Sequence, residues 1–116
     1  MTEEQEALCA KYGAAASRIS PRQTVGFARD FDPLVQPCNG VRYPPEGDAT
    51  GWYLWTGPEL SDDRDYFLPV RVEHLEELCP EVVKYLGLPP GWRFLFAEKY
   101  EDVWRDEDIP TGAGHG

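Results

Sequence analysis

Apolar residues along this chain follow a period of two in some stretches and a helical period in another, with turn-forming residues between them. Residues 52–56, WYLWT, are apolar on both alternating faces: Trp52 and Leu54 on one side, Tyr53 and Trp55 on the other. Such a strand is central in its sheet, or has one aromatic face covered by something other than its own helices. WRFLFA at 92–97 and YEDVWR at 100–105 predict two more strands, joined by a connection short enough for a hairpin. Their expected inward sets are Trp92, Phe94 and Phe96, and Tyr100 with Trp104. Between Arg71 and Leu86 the period becomes helical. Val72, Leu75, Cys79, Val82 and Leu86 share one stripe, with Glu73, Glu76, Glu77 and Lys84 mostly outside it. Pro80 breaks a continuous helix but suits the first turn of a second one. The pattern therefore predicts two short helices, 71–78 and 80–86, ended by Gly87.

The first half is less regular. Thr2 followed by Gln5 makes a capping box, and acids crowd the first turn of EEQEALCAKY, where the helix dipole favours them. A helix to Tyr12 or Ser17 follows, and its weak stripe (Leu8, Tyr12, Ile19) places it at the domain edge. QTVGFA at 23–28 predicts a short strand. Residues 32–45 are turn-rich, with Val41 and Tyr43 marking another. The chain has 116 residues, enough for one core. The element order predicts a single α+β domain over 1–108: a small antiparallel or mixed sheet with short helices packed on one face. The tail, 109–116, has no periodicity and is expected to be disordered.

Charge then narrows the function. The net charge is −10, and residues 57–108 hold 14 acids against 6 bases. Phosphate binding needs Lys and Arg patches, so nucleic acid is excluded as a direct ligand. No apolar run approaches a membrane span, and the N-terminus is acidic where a secretory signal is basic. Cytoplasmic residence is the expectation. Cys9, Cys38 and Cys79 are odd in number and far apart, as free thiols in a reducing compartment are.

The concentrated acids of the loop at 57–66 raise three possibilities. Asp62, Asp63 and Asp65 as a calcium loop fail on pattern: no Gly stands at the required offset, no Glu closes the loop, and Arg64 interrupts it. No metal and no cofactor are expected. Asp65 with Glu101 or Asp102 as an acid–base pair needs burial to shift a pKa, and the loop reads as wet. His74 sits between Glu73 and Leu75 with no nucleophile at a recognisable spacing, and His115 lies in the tail. There is no phosphate loop, Cys-x-x-Cys or Gly-x-Ser-x-Gly. The residues therefore point away from an enzyme. The third possibility is a docking face for a basic partner, with Tyr53 or Trp55 as the buried anchor beside Asp62, Asp63 and Asp65, and with Glu101 and Asp102 on the hairpin. A merely solvated loop above a sheet covered on both faces competes with it.

Several segments together carry a family resemblance. They are Gly51-Trp52 opening a strand, Ser61-Asp62-Asp63 after it, Phe67-Leu68-Pro69-Val70 leading into a helix, and the Cys79-Pro80 break. Tyr85 to Phe94 (YLGLPPGWRF) and Glu101-Asp102-Val103-Trp104 complete the set. The run from Asn39 to Asp106 resembles the immunity protein 33 family of bacterial polymorphic-toxin and type VI secretion systems. The resemblance implies a protein that neutralises a cognate protein toxin encoded nearby. A regulatory or scaffold domain, and a hydrolase using the same carboxylates, are the alternatives.

Overall fold

The computed structural model describes residues 2–58 and 66–109. Helix α1 (Glu3–Lys11) opens with the capping box: the Thr2 hydroxyl accepts from Gln5 N–H at 3.1 Å, and Thr2 N–H donates to Gln5 Oε1 at 3.0 Å. The strands are β1 (Thr24–Ala28), β2 (Cys38–Arg42), β3 (Ala49–Thr56), β4 (Phe67–Arg71), β5 (Trp92–Ala97) and β6 (Tyr100–Arg105). Between β4 and β5 lie α2 (Val72–Leu78) and a 3₁₀ helix, Pro80–Tyr85. Pro80 starts the second helix as its fixed φ and missing N–H suit it to do.

The strands form one mixed sheet in the order β4-β1-β3-β2-β5-β6, with β1 and β3 parallel and the other pairs antiparallel. This is the α+β architecture expected. The WYLWT strand is central, as its two apolar faces require. β4 was missing from the sequence reading because Pro69 speaks against a strand. The sheet accommodates it as an edge strand, where proline is tolerated.

Helices cover one face. Trp52, Leu54, Val25 and Phe94 from the sheet meet Leu75, Val82, Leu86 and Leu88 in the main core, joined by Leu8 and Cys9 of α1. Tyr85 stacks on Phe94, with ring centroids 4.5 Å apart. Phe94 in turn lies over Gly40, where an added Cβ would stand 2.1 Å from the ring. Cys9, Cys38 and Cys79 are buried free thiols.

The inward set of β6 is not the expected Tyr100 and Trp104. The two-residue turn Glu98-Lys99, with Lys99 at φ 63°, sets Phe94 opposite Val103 and Phe96 opposite Glu101. Turn length fixes hairpin register, and a shift of one residue exchanges the faces. Val103 and Glu101 therefore face the helices, while Tyr100 is 55% exposed on the other side. Phe94 is buried at 1% exposure, but Trp92, also expected inside, is half-buried.

Truncating a buried aromatic costs about 3–5 kcal/mol, so Phe94→Ala should lower the melting temperature by about 10 °C or more. Trp92→Ala should cost clearly less. Thermal and urea melts of both variants measure this, and equal losses would place Trp92 in the core after all.

Candidate functional site: the open face of the sheet

The face away from the helices is only partly covered. Register places Tyr53 and Trp55 of β3 on it, with Asn39 and Val41 of β2 beside them. On the outer strands it carries Phe67 and Pro69 of β4, and Tyr100, Asp102 and Trp104 of β6. Its centre is closed by a small second core of Ala28, Val41, Trp55 and Ile109, against which Phe31, Tyr66 and Phe67 pack. Ile109 reaches it through the turn at 106–109: Asp106 N–H donates to Gly91 C=O at 2.7 Å, and Ile109 N–H donates to Asp106 C=O at 3.1 Å. Arg93 anchors the same turn by an ion pair to Asp106 at 3.1 Å.

Two expectations change here. Trp55 is 4% exposed under Ile109, so it is core and not a surface anchor. Ile109, the first residue of the expected tail, is 6% exposed and packs with Trp55. The reason is shared: an apolar face on a central strand must be covered, and the nearest apolar chain segment does so.

Tyr53 is different. It is 38% exposed and belongs to an aromatic row that crosses the sheet. Tyr43 and Tyr53 meet edge to face at 5.7 Å, Tyr53 and Phe67 at 5.2 Å, and Tyr66 and Phe67 at 5.1 Å. Tyr43 is 42% exposed at the open end of the row. Gly26 is the floor beneath it, since a Cβ there would come within 2.6 Å of the Tyr53 ring. At the far end the Tyr66 hydroxyl donates to Asp30. Edge-to-face packing is a favoured aromatic geometry, so the row is a continuous apolar surface with phenol groups at its margin. Tyr43, Tyr66, Phe67 and Asp30 were not among the expected site residues. Only Gly26, an isolated glycine inside a strand pattern, signalled a close approach.

The predicted carboxylates do not form one cluster. Asp62, Asp63 and Asp65 lie outside the described residues. Asp102 is exposed on the open face, three strands away from Tyr53. Glu101, one residue earlier, points to the helices and is occupied there. It accepts from the Tyr12 hydroxyl at 2.5 Å and from Lys11 Nζ at 3.0 Å on Oε2. Its Oε1 accepts from the Tyr85 hydroxyl at 2.6 Å and faces Lys84 Nζ at 3.7 Å. Burial alone would raise this carboxyl, but the hydrogen bonds from Tyr12, Tyr85 and Lys11 outweigh it and bring the pKa down to about 2. A carboxylate that acidic is a weak general base at neutral pH. Glu101 clasps α1 and the 3₁₀ helix to the sheet. His74 is exposed on α2, near Glu73. Among the described residues no three His, Cys, Asp or Glu side chains are grouped to hold a metal ion, and no helix is long and apolar enough to cross a membrane.

In comparison with known proteins, the family model of the Imm33-like domain matches residues 4–106. The match takes in the N-terminal helix as well as the run from Asn39 onward. No curated protein and no solved structure matches the chain.

Two outcomes follow from this geometry. Trp55→Ala should destabilise the fold by about 3–5 kcal/mol, measured by urea unfolding, because the indole is buried. Glu101 has its folded pKa depressed from 4.5 to about 2, so its stabilising contribution is complete above pH 4.5 and lost as pH falls towards 2. Glu101→Gln should cost about 3 kcal/mol at pH 7, and the gap from the native protein should close on acidification. A gap constant from pH 6 to pH 2 would show that the clasp owes nothing to ionisation.

Proposed function

The chain belongs to the Imm33-like family, and from that premise we propose that it is an immunity protein: it binds a cognate, basic protein toxin through the open face of its sheet and occludes it. The toxin belongs to a polymorphic-toxin or type VI secretion system, and neutralisation takes place in the cytoplasm. The protein carries out no chemistry of its own and has neither nucleic acid nor membrane as a partner.

The exposed row Tyr43–Tyr53 on a rigid floor carries this reading. Tyrosines of that kind are typical interface anchors, having large area and little conformational freedom to lose. Asp102 is exposed on the same face, three strands away, and the sequence carries Asp62, Asp63 and Asp65 between Pro58 and Tyr66. With a net charge of −10 on the chain, long-range attraction speeds encounter with a basic partner, while burial of the tyrosines retains it. Trp55 lies in the small core beside the row, where Tyr66 and Phe67 also pack, and makes no contact with the toxin. Glu101 acts through the clasp.

The two residue types should therefore fail differently. Converting Asp62, Asp63 and Asp65 together to Asn should slow association with the toxin encoded beside this gene and flatten its salt dependence. Tyr53→Ala should chiefly speed dissociation, by roughly thirtyfold for an anchor worth about 2 kcal/mol. Kinetics at low and high salt, with circular dichroism on each variant, separate these effects. Binding left unchanged by both variants at every salt concentration would remove the open face as the site.

A further inference from the structure

The sheet ends in two edge strands, and they are built differently. Asp106 N–H on Gly91 C=O and the pairing of Ala97 with Tyr100 across the two-residue turn set the parity of the β5–β6 ladder. Tyr100, Asp102 and Trp104 turn their backbone groups towards β5. Those of Glu101, Val103 and Arg105 consequently point out of the sheet. Among the described residues none of these three has a further backbone hydrogen bond. On β4 the same reasoning starts from Arg29 N–H on Tyr66 C=O and Val72 N–H on Gln23 C=O, and it turns Phe67, Pro69 and Arg71 outward. Pro69 thus removes the donor at the middle of that edge, a standard guard against strand addition. β6 has no proline and keeps a donor at each outward position.

We propose that β6 is a docking edge on which an extended, basic segment of the toxin pairs as a seventh strand. This rests on the immunity reading above and adds its geometry. The occupant is chosen by charge. Glu98, Asp102, Glu107 and Asp108 lie along or beside the strand, against Lys99 and Arg105, and Asp106 is paired with Arg93, so the unpaired charge along this edge is net acidic. On the helix side, Glu4, Glu76, Glu81 and Glu101 outnumber Lys84 and Lys99 in the lining of a groove of about 740 Å³ that opens by the hairpin end of β6. A second copy of this chain would bring its own charge of −10 against that acidity, so the edge is guarded against itself and complementary to a basic strand. Main-chain pairing supplies affinity in strand addition, and alternate side-chain positions supply selectivity. An added strand would also widen the open face next to Asp102 and Trp104, so edge and face form one continuous surface.

Amide hydrogen exchange read residue by residue tests this, on the protein alone and with the toxin domain encoded beside it. In the free protein the amides of Glu101, Val103 and Arg105 should exchange faster than those of Asp102 and Trp104. In the complex they should slow at least tenfold. A complex that forms while these three amides stay unchanged overturns the docking edge and leaves the immunity reading standing. No complex at all overturns both. Protection that grows with the protein's own concentration, without toxin, identifies a second copy as the occupant and equally overturns the proposal. Arg105→Pro, at the strand's exposed end, removes one outward donor and should weaken toxin binding at least tenfold. Arg105→Ala, which keeps the N–H, should weaken it far less, and equal losses would assign the effect to the side chain.

Discussion

The carbonyl groups of residues 83–88, at the end of the 3₁₀ helix and in the turn after it, are the constraint on which this structure turns. Such groups need partners from elsewhere in the chain, and burial makes each unpaired one costly. Here four different parts of the chain supply the donors. Gln5 Nε2 donates to Val83 C=O at 2.9 Å, and Trp52 Nε1 donates to Leu86 C=O at 3.0 Å. Ser17 N–H takes Gly87 C=O at 2.8 Å, and the buried Arg42 guanidinium takes Leu88 C=O at 2.8 Å. The N-terminal helix, the segment after it and two central strands thus converge on six residues. Burial lowers the Arg42 pKa to about 10, which still leaves the side chain charged at neutral pH. Its donors go to carbonyls of Thr50 and Leu88, and its cation lies 5.9 Å from the Trp52 ring.

With that side of the sheet committed to packing, the other side is left to chain segments that are not helices. The Asp106–Ile109 turn is too small to cover six strands. It closes the centre over Trp55 and leaves the Tyr43–Tyr53 flank in solvent. The division of labour follows from geometry: the helical face holds the rigid, hydrogen-bonded scaffold, and the open face carries surface that is still available. Glu101 and Asp102 show how sharp that division is. They are consecutive carboxylates, yet one clasps helices through two phenols and two ammonium groups, and the other stands in solvent on the opposite face.

What was legible in the sequence was what local physics decides. The capping box at Thr2 and Gln5 and the Pro80 restart depend only on near neighbours. So do the two-sided apolarity of WYLWT and the mixed α+β class with helices on one face. The motifs from Gly51 to Trp104 likewise carried the family resemblance, because turn and packing residues keep their spacing along the chain. Which aromatic of WYLWT is core and which is surface was not legible, since both alternate in the same way. Ile109, 54 positions after Trp55, makes the choice by folding back over one ring and not the other. β4 was hidden for a related reason, as Pro69 opposes a strand everywhere except at an edge, and edges exist only once a sheet is assembled. The facing of Glu101 and Asp102 depended on hairpin register, which a two-residue turn sets in three dimensions. Local propensity and periodicity belong to the sequence; which face meets what is decided by contacts between distant segments, and those only the tertiary structure supplies.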